Sequence, residues 1–254
     1  MFFRALFLIL ISFSISCAHN EKKTQKQAKY LLQIGTAHLS NGDNPQAIRY
    51  LQNSIIADDT NPVAYNNLAL AYYFRQKYVL AEKNLKKALE LAPKYTEAMN
   101  NYGRVLIDMR QYDKAISVLT KATEDLTYAM PEKSYSNLGY AYYKNKQYDE
   151  AYKFLRKSLS MRKNSCFTNT IYAHTLYEQK KYETAANAFF RNIHLCEKQA
   201  EMYQENKYHA AVAFLQINKY NEAVALLEEL QANTSTENEK WRASSKELLQ
   251  TLKR

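Results

Sequence analysis

Small and large apolar positions recur along this chain at one period, and that period predicts its elements. Ala47, Ala81, Ala115, Ala151, Ala185 and Ala223 are separated by 34, 34, 36, 34 and 38 residues. Four residues after each stands a large apolar side chain: Leu51, Leu85, Leu119, Leu155, Phe189 and Leu227. Tyr78, Tyr112, Tyr148, Tyr182 and Tyr220 lie three residues before the last five. Twelve residues before the six alanines come Gly35, Ala69, Gly103, Gly139, Ala173 and Ala211. Three residues beyond those stand His38, Tyr72, Leu106, Tyr142, Leu176 and Phe214. Spacings of three and four place side chains on one face of a helix. Two antiparallel helices approach closely only where one presents almost no side chain. The Gly/Ala position therefore marks a first helix, the Ala position a second, and the large residues fill the space between hairpins. A period of this length predicts an all-α repeat array.

The breakers agree with that division. The chain has only 4 Gly and 4 Pro. Pro62, Pro93 and Pro131 fall at repeat boundaries, and Pro45 opens a second helix. Gly35, Gly103 and Gly139 occupy the close-contact position, where glycine costs about 1 kcal/mol of helix stability relative to alanine and so implies a packing return. Gly42 marks a turn. The predicted hairpins cover 28–61, 62–95, 96–131, 132–165, 166–199 and 200–233, with a closing helix in 234–254 carrying Trp241, Leu248 and Leu252. This pattern is the tetratricopeptide (TPR) signature, with Tyr65, Met99 and Tyr135 where its first-helix Trp would be. The resemblance implies a right-handed superhelix of six antiparallel helix hairpins plus a C-terminal capping helix.

The N-terminus reads differently. Met1-Phe2-Phe3-Arg4 carries one positive charge, and Ala5 to Ser16 is an apolar run of signal-peptide length, shorter than the roughly 20 residues a membrane-spanning helix needs. Ser14-Ile15-Ser16-Cys17 resembles the bacterial lipobox, with Ser14 in place of its usual Leu. That reading makes 1–16 a lipoprotein signal peptide, Cys17 a lipidated N-terminus and 17–27 a polar tether. Ala18 after the Cys points to the outer membrane. Ordinary cleavage after Ala18 is the alternative, and both readings export the chain.

These features in this order resemble the PilF/PilW lipoproteins of type IV pilus assembly, the pilotins of its secretin. The stretches that carry the likeness are Asn100-Asn101-Tyr102-Gly103, then Ala122 to Tyr128 with Pro131-Glu132, then Asn137-Leu138-Gly139. The family shows a similar NNYG helix, a longer third-repeat exit with a Tyr-Pro-Glu element, and NLG. Here two residues separate Tyr128 from Pro131. The resemblance implies a protein on the periplasmic face of the outer membrane, held by its lipid. It would bind the secretin subunit and promote that subunit's localisation and assembly into a multimer. Two alternatives stand beside it: a general periplasmic TPR adaptor scaffolding cell-wall hydrolases or proteases, and a lipid-anchored subunit of the barrel-insertion machinery.

In a TPR array the first helices line the concave face. In repeats one and two those positions include Leu32, Leu39, Val63, Leu70, Tyr73 and Phe74, a groove suited to an amphipathic helix or an extended segment. The alternative is that neighbouring hairpins bury several of them. Asn67, Asn101 and Asn137 occupy equivalent positions in repeats two to four and could hold a peptide backbone through their amides, or could bond a neighbouring loop instead. Arg104 and Lys133 lie nearby and would favour acidic groups.

Charge and chemistry narrow the rest. The net charge is +10, from 35 Lys+Arg against 25 Asp+Glu, with no long run of one sign. It reads as a solvated helix surface that attracts acidic partners or anionic head groups at long range, and no nucleic-acid partner is expected. Cys166 and Cys196 begin and end one antiparallel hairpin, so they are either a disulfide or two free buried thiols. His19, His38, His174, His194 and His209 show no metal-ligand spacing, and His38 reads as a hydrogen-bonded core histidine. No phosphate loop, nucleophile elbow or HExxH helix occurs. The expectation is no enzyme, no cofactor, no metal and no small-molecule substrate.

Overall fold

The computed structural model describes residues 24–232 and 239–252. The segment expected to be a signal peptide (1–16) and Cys17 lie outside the described residues. The described residues are all-α and free of strand, with thirteen helices. They divide after Gln111 into two compact units. The first holds α1 (24–40), α2 (Asn44–Ala57), α3 (Pro62–Phe74), α4 (Tyr78–Leu91) and α5 (Thr96–Asp108). The second holds α6 (Tyr112–Thr123), α7 (Pro131–Lys144), α8 (Tyr148–Met161), α9 (Cys166–Glu178), α10 (Tyr182–Leu195), α11 (Ala200–Leu215), α12 (Tyr220–Ala232) and α13 (Glu239–Leu252). Helix α1 takes in residues 24–27, which the sequence reads as tether. No helix among the described residues is long and apolar enough to cross a membrane.

Helix starts follow local chemistry. Pro62 and Pro131 open α3 and α7, where a missing N–H costs nothing. Asp43, Asn61 and Ser165 cap α2, α3 and α9 by accepting from Gln46, Val63 and Thr168 backbone N–H groups.

The turn inside each hairpin is closed in one way throughout. In the second repeat the Lys77 N–H donates to the Tyr72 carbonyl (2.9 Å) and the Gln76 N–H to Tyr73 (2.8 Å), the paired bonds of a Schellman motif. The same pair recurs at Asp43/Gly42, Gln111/Arg110, Gln147/Lys146, Lys181/Lys180 and Lys219/Asn218. The motif needs one left-handed residue, supplied by Gly42 (φ 77°) and then by Gln76, Arg110, Lys146, Lys180 and Asn218 at φ 57–61°. A side chain there costs about 1–2 kcal/mol, so five hairpins hold their turns against local preference.

The cores are built on the periodic residues. Each of the six alanines, and the large residue four positions on, is at most 1% exposed. Close approach is most severe at the glycines: a Cβ on Gly35 would lie 2.7 Å from Leu51 Cγ, and one on Gly139 2.6 Å from Leu155 Cγ. At the open end of three hairpins a polar residue ties the second helix to the start of the first. Ser54 Oγ donates to the Ala28 carbonyl and Ser158 Oγ to that of Glu132, both at 2.8 Å. Asn192 Nδ2 does the same to Cys166 at 3.3 Å. There Cys166 and Cys196 are joined by a disulfide, with S–S 1.99 Å and Cα–Cα 5.3 Å.

Helix α13 closes the second unit. Trp241 is buried in its core and Leu248 packs against that core. Leu252, read as a third covering residue, instead stands 37% exposed at the end of α13.

Two substitutions in one repeat separate turn from packing. Lys146→Gly should stabilise by about 0.5–1 kcal/mol, because it relieves the left-handed strain at some cost in chain entropy. Gly139→Ala should destabilise by about 1–3 kcal/mol through overpacking on Leu155, despite its better helix propensity. Denaturant midpoints of the two variants check both.

Candidate functional site

In the first unit, Val63, Leu70 and Phe74 follow one another on α3 at spacings of seven and four. They form a single stripe about 16 Å long. Phe74 is 58% and Val63 38% exposed, with Leu70 half-buried between them. Val63 also lines a shallow apolar cavity of ≈ 630 Å³ with Pro62, Ala92, Pro93, Lys94 and Tyr95. Leu32 and Leu39 turn the other way, packing on the core of Ala47, Leu51, Leu68 and Ala71.

Tyr73 sits beside the stripe, its ring 5.7 Å from Phe74 edge to face. Its hydroxyl donates to Asp108 Oδ2 at 2.7 Å. Burial pushes the phenol up, and the Asp108 carboxylate adds to that against the pull of the Arg104 guanidinium. The phenol therefore stays a donor at neutral pH. Arg104 is half-buried against this pair.

The asparagines form a relay across three helices. Asn67 Nδ2 donates to Thr36 Oγ1 on α1 (2.9 Å). Asn66 Nδ2 donates to Asn67 Oδ1 (3.1 Å), and Asn101 Nδ2 on α5 to Asn66 Oδ1 (2.8 Å). Asn66 and Asn101 are buried at 2% and 8% exposure. These amides join neighbouring repeats through their helices, not through a loop. Asn137 is buried within α7 of the second unit.

The second unit gathers ionisable groups on its first helices. His174 Nε2 of α9 lies 2.9 Å from Glu205 Oε1 of α11. The His174 and His209 rings meet edge to face at 4.5 Å. His209 is packed among Phe189, Tyr208 and Trp241, with centroids 5.4–5.7 Å away. Burial pushes its imidazole down to about 3, helped by the charges of His174 and Lys240. Burial alone would raise the Glu205 carboxyl, but its hydrogen bond to His174 and the nearby His209 and Lys240 hold it below the usual range. The reading of the histidines as having no metal-ligand spacing is corrected here. Glu205 and His209 stand one helical turn apart, and repeat stacking delivers His174 to them.

Comparison with known proteins places this geometry. A tetratricopeptide repeat family model matches residues 61–127, and the model of anaphase-promoting complex, cyclosome, subunit 3 matches 125–192. Type IV pilus assembly protein PilF of Pseudomonas aeruginosa is 27% identical over 154 residues, 61% of this chain and 61% of that protein. The solved structure of Pseudomonas aeruginosa PilF superposes at TM-score 0.70 with 21% identity, covering 87% of this chain and 99% of that one. PilW, described as a widely conserved type IV pilus biogenesis factor, superposes at 0.77 with 21% identity, covering 84% and 97%. The chain has the tetratricopeptide-repeat fold seen in PilF and PilW.

Within this repeat fold the residues expected to bind a partner separate into three groups. Val63, Leu70 and Phe74 form an accessible stripe; Tyr73 bonds to Asp108 with Arg104 beside its hydroxyl; Leu32, Leu39 and the asparagines serve packing or the relay. Asn66 was missed, although the Asn66-Asn67 doublet recurs one period later as Asn100-Asn101. The histidine cluster was missed too. His174 and His209 are 35 residues apart, close to the 34-residue period of the earlier repeats but not to the 38-residue spacing of these two, so the signal was a weak one. Asn66→Ala should leave the Asn101 amide and the Asn67 carbonyl without these partners. We expect a loss of about 2–3 kcal/mol in urea unfolding, against under 1 kcal/mol for an exposed control such as Asn187→Ala.

Proposed function

We propose that this chain is a secretin pilotin: an outer-membrane lipoprotein that binds the type IV pilus secretin subunit and promotes its localisation and assembly. The observation that carries the reading is the likeness to PilF and PilW, which extends over more than four-fifths of the chain. The chain spans 61% of the length of the PilF relative it matches in sequence, so the partner and the activity belong to the proposal.

The chemistry needed is binding alone. The α3 stripe offers Phe74 and Val63 to the apolar face of a secretin segment. Each such side chain, once covered, contributes up to about 1.5–3 kcal/mol. Arg104 beside the stripe favours an acidic group on that segment. Anchorage comes from Cys17: one acyl chain holds a protein only marginally, while several hold it stably. A general periplasmic adaptor would use the same kind of surface for a different client.

Phe74 is exposed, so Phe74→Glu should leave the circular dichroism spectrum and thermal midpoint near wild type. It should weaken secretin capture from detergent-solubilised envelope at least tenfold and reduce the secretin multimer in cells. Unchanged capture with an intact fold would remove the stripe from the reading. Recovery of cell-wall hydrolases or proteases without secretin would replace the pilotin with the adaptor.

A further inference from the structure

We infer that His174, Glu205 and His209 form a binding site for one divalent transition-metal ion, with zinc as the fitting ion, bridging α9 and α11 of the second unit. One ring nitrogen of each histidine and one Glu205 carboxylate oxygen lie within 4.8 Å of one another, and all three side chains are half-buried. Two imidazoles and a carboxylate are a zinc donor set that leaves a fourth position for water.

The geometry comes close to coordination without a bound ion. Donors bonded to tetrahedral zinc at about 2.0–2.1 Å stand about 3.3 Å apart. The His174–Glu205 pair, at 2.9 Å, is already within that range. The widest separation in the cluster, at most 4.8 Å, has to shorten by about 1.5 Å on binding. Glu205 and His209 are one turn apart on α11, so a single helix sets two ligands on one side. His174 arrives from the neighbouring first helix. It is 14% and Glu205 27% exposed, so an ion can enter while most bulk water is kept out. Phe189, Tyr208 and Trp241 wall the site and restrict the ring of His209. Lys240 is the cation that opposes the ion; its ammonium lies over the Trp241 ring at 4.3 Å.

Other histidines of the described residues lack this convergence. His38 meets Asp43 at 3.1 Å, and His194 meets Glu197 at 3.3 Å, each as a simple pair. They serve as internal controls.

Trp241 is the chain's single tryptophan, and its ring centroid is 5.7 Å from that of His209. It is therefore a built-in reporter. The purified full chain, without an affinity tag, is titrated with zinc chloride by calorimetry and with nickel chloride by tryptophan fluorescence. We expect one zinc per chain with micromolar or tighter affinity, saturable quenching by nickel, and a rise in Tm with zinc. Glu205→Gln and His174→Gln should each weaken binding at least tenfold while preserving the circular dichroism spectrum. His194→Gln should leave it unchanged. Absence of saturable binding below millimolar zinc would overturn the site, as would binding that survives both Glu205→Gln and His174→Gln. His209→Gln is the third ligand variant. Should it fail to fold, the other two still decide.

Discussion

How closely two helices of one hairpin can approach is the constraint from which the rest of this structure follows. Leu51 and Leu155 press on Gly35 and Gly139 at distances that leave no room for a methyl group. Elsewhere Ala69, Ala173 and Ala211, each fully buried, hold the equivalent place. Such thin hairpins cannot bury their own apolar faces, so each must stack on the next, and the last needs a cover. Trp241 on α13 provides one. The repeat is therefore less a motif copied for its own sake than the smallest unit that solves this packing problem.

Close approach also dictates the turns. Two helices in contact along their length must be joined within a few residues, and the Schellman bonds with one left-handed residue achieve it. Only the first hairpin uses glycine. The others hold Gln, Arg, Lys or Asn in the left-handed region, where bonds to the two preceding carbonyls and the packing of both helices overrule the local preference. The polar side chains of these turns are exposed or nearly so, which suits the excess of positive charge spread over the surface.

The second-helix positions made the architecture legible in the sequence, because packing tolerates only small residues at one and large apolar residues at another. Ala47, Leu51 and their counterparts are repeated without exception. The turns were legible only at Gly42, since nothing in Gln76 or Lys180 announces positive φ. The candidate site was half legible. Val63, Leu70 and Phe74 stand out because apolar residues at accessible positions have no packing reason. Leu32 and Leu39 looked identical in one dimension, and only the direction of α1 against α2 and α3 sends them into the core. The histidine cluster was hidden because the last two repeats are spaced 38 residues apart. That offset obscures the register which puts His174 next to Glu205.

First helices and second helices thus carry different burdens. The second helices are nearly uniform in chemistry and specify the fold. The first helices vary from unit to unit at equivalent positions. In the first unit the Asn66, Asn67 and Asn101 amides satisfy one another across repeats. A buried amide left without its partner costs about 1–3 kcal/mol, so the relay fixes the register of α1, α3 and α5. With register secured by polar groups inside, the accessible apolar residues of α3 are not needed for it. Val63 and Phe74 can stand exposed without loss to the fold. In the second unit the disulfide and the Asn192–Cys166 bond secure one hairpin in the same way, and the neighbouring first-helix positions are filled by His174, Glu205 and His209. In both units the groups proposed to meet a ligand sit beside a locked internal contact. The fold can present Val63 and Phe74 there because it does not rely on them.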